Sequence, residues 1–323
     1  MKEWILNKLY EAKSPSTPRF AIQGTVNWMN CLAYFIDNSQ YFTNNSLIDF
    51  YQTVPLQENK VNSIPLIIEN MIMAYHNYSA LEIFDTLEKY PNEICRAAIV
   101  SWYYSIYFTG SAMVAAATGT QQENHSTTAK VWLNELVNRN FILEPFNFKV
   151  DSLVKNQYKQ QIKNTRNGNT FDLSYKPTNI EDSKGGILSY LQGTADYLRE
   201  QKEQKMKNDK EFKNLNVSNF RTKIAREYRD ARLVKAKVGF LHEAFRYRGK
   251  ANYRDSIYLT YGNDYSNEIR QLCKDLKQVS FYFQRMASTY IEKRIGKSDW
   301  SFFINDLCEN TKLKTSPLYL KNE

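Results

Sequence analysis

"AAIVSWYYSIYFTGSAMVAAATGTQQ", residues 97–122, contains no charged side chain. A run of that length can span a bilayer, which takes about 20 apolar residues. Seven hydroxyl or phenol groups interrupt it, at Ser101, Tyr103, Tyr104, Ser105, Tyr107, Thr109 and Ser111. They lower its hydropathy, and nothing else in the chain resembles a second span. The stretch predicts a core helix rather than a membrane helix. Pro91 suits its first turn, where a missing N–H costs nothing, and the helix should run to about Thr118.

Working outward, apolar residues recur at helical spacing almost everywhere. Residues 1–13 and 20–37 read as helices separated by the loop "SPSTP", and "FTNNSLIDFYQTV" reads as a short capped helix. A long helix follows from about residue 63, with Asn77 as its candidate break point. "TGTQQENH" is loop, and "STTAKVWLNELVNR" is an amphipathic helix to be capped by Ser126 or Thr127. Periodicity resumes at 218 and continues through two more helices near the end. Only 11 Gly and 8 Pro punctuate the 323 residues, which suits long helices and argues against a many-stranded β fold. The predicted class is an all-α multi-helix bundle. We divide it into an N-terminal helical region, 1–90, and a helical core, 91–323. A polar insertion at about 140–217 interrupts that core. Its charge run, 199–213, mixes signs and reads as a solvated helix face.

The four cysteines, Cys31, Cys95, Cys273 and Cys308, have no zinc-type spacing, and there are three His in all. No metal or other cofactor is implied. Reduced thiols, together with a start ("MKEWILNKLYEAK") that contains acidic residues and lacks a long apolar run, lead to the expectation of a cytoplasmic protein without a signal peptide and with no membrane partner.

The formal net charge is +9, so anionic partners are favoured. The excess concentrates between Asn219 and Arg254, where 11 Lys or Arg face three acids, Glu227, Asp230 and Glu243. Arg226, Arg229, Arg232 and Lys235 follow at steps of three, which on one helix forms a slowly drifting row able to track phosphates. "RYRGKANYR" adds Arg246, Arg248, Lys250 and Arg254. These residues are the expected nucleic-acid contacts. The bland reading of each His is structural: His76 on a helix, His125 in a polar loop, His242 at the edge of a core. The aromatic stripe from Trp102 to Phe108 reads as core, not as a platform for bases.

Small and aromatic residues at three- and four-residue steps (Ala97, Ser101, Tyr104, Phe108, Ser111, Ala112) precede the loop carrying His125. "RYRGKANYRDSI" adds an arginine-plus-"ANY" segment. Together these resemble the HEPN family, over about 93–140 and 218–262. The resemblance implies a helical bundle, often dimeric, whose polar cleft cleaves RNA or binds nucleotides and nucleic acid. It also implies a setting in bacterial defence or in a toxin–antitoxin pair. Cleaving members carry an Arg and a His four to six residues apart, a phosphate clamp beside a proton shuttle. Here no His has such an Arg before it. Tyr253 occupies the place of the His after Arg248, and a phenol is a poor base at neutral pH. Lys237, five residues ahead of His242, is no substitute for a bidentate Arg.

The expected function is therefore nucleic-acid binding, RNA ahead of DNA. One alternative is a divergent metal-free ribonuclease using Arg96 or Arg246 with His125 or His242. The other is a non-catalytic subunit that meets a protein partner, or a second copy of itself, through tyrosines.

Overall fold

The computed structural model describes residues 4, 5, 8, 18–58, 60–87, 89–252, 254–262 and 264–313. The predicted helix over residues 1–13 lies almost wholly outside them. The described chain is an all-α bundle of twelve helices with one two-residue ladder. In chain order these are α1 (Pro18–Asn38), α2 (Asn44–Phe50), α3 (Lys60–Thr86), α4 (Pro91–Thr118), α5 (His125–Trp132) and α6 (Lys155–Thr165). Then come α7 (Ile180–Asn208), α8 (Lys210–Lys213), α9 (Lys223–Leu233), α10 (Phe240–Asn252), α11 (Ser266–Ile295) and α12 (Lys297–Asn310). Strands β1 (Lys149–Val150) and β2 (Val238–Gly239) pair antiparallel. A 3-10 turn, Arg254–Leu259, follows α10.

Helix α4 is the centre. It begins on Pro91 and ends on Gly119, whose φ of 75° is a left-handed cap that Gly adopts without strain. α3, α10 and α11 pack around it, and α5 closes one more side. Its hydroxyls are used internally. Ser105 Oγ meets Ser280 Oγ at 2.6 Å and accepts from Gln284 Nε2 at 2.8 Å, while Thr109 donates to the Ser105 carbonyl. A polar run can therefore be buried, because its groups pair with one another instead of with water. No helix among the described residues is long and apolar enough to cross a membrane.

Several boundaries differ from the sequence reading. α3 does not break at Asn77, whose amide donates to the Met73 carbonyl one turn back. α5 is capped by Asn124, not by Ser126 or Thr127: Asn124 Oδ1 accepts from the Thr127 N–H and from both their hydroxyls. His125 is consequently the first helical residue and not part of the loop. The periodic stretch from 218 is two helices, since Val238 and Gly239 leave helical geometry to pair with β1.

The polar segment 140–217 contributes side chains to the core while much of 200–211 stays exposed. Phe146, Val150, Leu153, Tyr158 and Leu191 are buried in the same core as α1, α4 and α11. α1 in turn packs on α7 and α11, so residues before 90 share that core. The α1–α7 contact is close because α7 carries Gly186 there. A Cβ on Gly186 would overlap Cys31 Sγ, and Ser183 Oγ donates to the Cys31 carbonyl. All four thiols are unpaired, and Cys31, Cys95 and Cys273 are buried.

Gly186→Ala should therefore destabilise the protein by about 1–3 kcal/mol in denaturant unfolding. Combining it with Cys31→Ala should recover part of that loss, the signature of a shared contact.

Candidate functional site

Three helices meet at a cleft on one side of α4. α7 supplies Tyr197, Gln201 and Lys205, spaced by four and hence on one face. Opposite stand His242, Phe245, Arg246 and Gly249 of α10, and His125, Ser126 and Ala129 of α5 form the floor. This cavity measures about 620 Å³. A second, of about 810 Å³, adjoins it and shares Ser126, Leu198, Gln201, Lys205 and His242. The two form one groove.

The groove is cationic. Lys130 reaches it from α5 and Lys202 and Lys205 from α7; Arg232, Lys235 and Lys237 come from the end of α9 and the segment after it. Arg246, Arg248 and Lys250 come from α10. No Asp or Glu is among the described residues lining either cavity. Of the neighbouring acids, some hold an arginine outside the groove and two pair with its own cations Arg232 and Lys237. Glu203 binds Arg199 at 2.8 Å and lies 3.6 Å from Arg229. Asp230 binds Arg229 at 2.8 Å, Glu211 pairs with Arg232, and Asp151 lies 3.8 Å from Lys237.

Glu243 is the sharpest case. It is 1% exposed and Oε1 has no hydrogen-bond partner. On α10 it lies three residues after Phe240 and four before Tyr247, both of which pack against Trp28 and Trp102. Burial holds its carboxyl well above the ordinary value, against a smaller opposing pull from Arg246. Burial thus favours the protonated form of Glu243 over the carboxylate.

Both histidines reach the cleft. His125 Nδ1 lies 2.8 Å from Tyr103 Oη, and its ring stacks on Phe245 and meets Tyr107 edge-on. Burial and then the Arg248 guanidinium lower its pKa. His242 Nδ1 accepts from the Gly239 N–H at 3.4 Å, which leaves the proton on Nε2. Burial foremost, then Lys202, pushes its pKa down to about 4. Both rings are neutral at pH 7. Arg248 lies over Tyr103 and Phe245, each at 4.9 Å, and donates to Tyr104 Oη. Arg246 lies over Tyr190 and Tyr197 and donates to Thr194 Oγ1.

The structure gathers His125, His242, Arg246, Arg248, Lys250, Arg232 and Lys235 at this groove and leaves the rest apart. Arg96 donates to the Ala251 carbonyl at 3.0 Å, capping the end of α10, and does not line the groove. Arg229 is held by Glu203 and Asp230, and Arg226 is exposed outside the groove. The row of four is cut at Leu233, where α9 ends, so Lys235 reaches the groove from the segment after the helix. Tyr253 and the side chain of Arg254 lie outside the described residues. His76 is exposed on α3. Trp102 and Tyr103 of the aromatic stripe are buried.

Lys130, Lys202, Lys205, Gln201 and Tyr197 were missed by sequence reasoning. A signal for two of them existed: within 199–213, Lys202 and Lys205 share one helical face, while Glu203 turns toward Arg199 and Arg229. Among the described residues no group of three His, Cys, Asp or Glu is placed to hold a metal ion. No protein-family model, curated protein or solved structure matches the chain.

Two pH effects follow with opposite sign. His242 must gain a proton to unfold in acid, so its contribution to stability is complete above about pH 6.5 and is lost as pH falls toward 4. His242→Gln, which keeps an acceptor for Gly239, should flatten the acid limb of the melting-temperature profile. Glu243 behaves inversely, because the unfolded chain releases its proton near the ordinary value of 4.5 and the folded chain does not. Glu243→Gln should raise the melting temperature at pH 7–8 and change it little at pH 4.

Proposed function

We propose that the groove binds single-stranded nucleic acid, RNA in preference to DNA. The observation that carries this reading is a cleft whose described lining holds nine Lys or Arg side chains and no carboxylate. Ordinary protein surface intersperses the two signs, and a one-sign concave field concentrates polyanions. Lys130, Lys202, Lys205 and Lys235 are exposed and make no ion pair with a described carboxylate, so each can displace a counterion from a phosphate. Exposed rings of Tyr197 and Phe245 beside the cations suit unpaired bases, which favours a single strand over a duplex. The preference for RNA, and a setting in defence or a toxin–antitoxin pair, rest on the resemblance to HEPN proteins.

A second reading, metal-free RNA cleavage, is favoured by one arrangement: two neutral imidazoles share a cavity with Arg246 and Arg248. His242 has its lone pair engaged and offers a neutral Nε2–H, which can hydrogen-bond a phosphate oxygen; with its pKa near 4 it is no proton source at pH 7, so the leaving oxygen would take its proton from water. If His125 donates its Nδ1 proton to Tyr103, its Nε2 lone pair is free to take a proton from a ribose 2′-hydroxyl. Arg246 and Arg248 would then stand near the phosphate.

The binding reading is tested by fluorescence anisotropy with a single-stranded RNA across a salt series. Replacing Lys130, Lys202, Lys205 and Lys235 together by Ala should weaken binding and reduce the slope of log affinity against log salt by roughly 2–3 units. Unchanged affinity and slope in the folded variant would refute it. For cleavage, the expected result is strand scission of RNA, not DNA, in the presence of chelator, abolished by His125→Ala. Intact RNA after prolonged incubation with the wild-type protein rules that chemistry out.

A further inference from the structure

The two halves of the groove differ in chemistry, and the difference points to a division of labour. In the larger cavity the charged walls are lysines and Arg232, suited to a phosphate backbone. The smaller one has planar walls. Tyr197 is 45% exposed and Phe245 41% exposed, high for aromatic rings lining a cavity. Guanidinium planes lie against them, Arg246 5.6 Å from the Tyr197 ring and Arg248 4.9 Å from the Phe245 ring. One turn from Tyr197 toward Lys205 stands Gln201, whose amide offers a donor and an acceptor.

We infer that this smaller cavity is a slot for one unstacked nucleobase of the bound strand. The inference rests on the nucleic-acid reading and names which part of the ligand lies where. A base has two apolar faces and a polar edge. The ring and guanidinium planes serve the faces, each such stack contributing about 1–3 kcal/mol. Gln201 serves the edge, where a side-chain amide can pair with a base in bidentate fashion. The volume, about 620 Å³, falls within the roughly 300–1,000 Å³ of clefts that enclose small planar ligands. Lys205 and Gln201 belong to both cavities, so a base in the slot leaves its own phosphate at the entrance to the lysine-lined half. A phosphate alone would leave the aromatic walls uncovered, and an acidic peptide has no planar edge for the amide to read.

The test uses a short single-stranded RNA carrying 2-aminopurine, whose fluorescence reports stacking, and the full-length protein. Binding should change that fluorescence. Tyr197→Ala and Phe245→Ala should each weaken binding by roughly 5- to 150-fold, the range that stacking of one base implies, and leave the salt slope as in the wild type. Phe245→Tyr, which keeps a ring, should restore most of the affinity. Tyr197→Ala guards the test, because its ring is too exposed for its loss to unfold the protein. If the strand binds with its full salt slope while the fluorescence stays constant and both Ala variants bind as tightly as the wild type, the slot is wrong and the groove reading survives. If the strand does not bind the wild type at all, both readings fall together.

Discussion

The burial of α4 beyond its first turns is the constraint from which the rest of the architecture follows. From Ala98 to Thr118 it carries no charge and exposes little, so α3, α10, α11 and α5 enclose it. Its buried hydroxyls then need partners. Ser280 and Gln284 on α11 supply them, the latter also reaching the Ala74 carbonyl on α3. Each of these bonds would leave a desolvated polar group if its partner moved, which fixes the three helices relative to one another. α10 is held by a different device. Its Leu241 packs where Gly110 has no side chain, and Tyr247 donates to the Thr25 carbonyl on α1. The cleft wall is thus built on the rigid centre of the bundle.

Charge is sorted by the same packing. The basic region carries its positive character into the groove because nearby carboxylates are drawn inward or aside. Glu203 serves two arginines, Glu211 and Asp230 serve one each, and Glu243 is buried with its carboxyl held well above the ordinary value. Lys130, Lys202, Lys205 and Lys235, exposed along the groove, keep its field positive. It also acts on the histidines. A cationic, partly desolvated site disfavours a further proton, which is why His125 and His242 both sit below their ordinary pKa. The arrangement keeps the groove positive without adding charge on its imidazoles.

Aromatic side chains take two separate roles that their spacing does not distinguish. Trp28, Trp102, Tyr190, Tyr247 and Phe240 interlock at the centre, with Trp28 stacked on Tyr190 at 4.1 Å. Tyr197, about two turns along α7 from Tyr190 of that cluster, leaves nearly half its surface exposed at the cleft. Helix α7 changes from core element to groove wall along its own length, and its two halves read differently for that reason.

The sequence alone determined the helical class, the extent of α4 from Pro91 to Thr118 and the basic character of 219–254, because each depends on local properties: periodicity, a proline and glycine at the ends, and a count of charges. It also singled out Arg246, Arg248, Lys250 and His242, which lie close together on one short helix. What needed tertiary structure was partnership. Whether an arginine is free depends on an acid 20 or more residues away, as with Arg232 and Glu211 or Arg229 and Glu203. Whether Glu243 is charged depends on the helices that enclose it. Whether the charge run of α7 is mere solvated surface depends on its lying across from α10. Pairings at such separations leave no period in the sequence, since they are set by how whole helices seat on α4, and only the folded chain brings Lys202, Lys205, His125 and Phe245 to one groove.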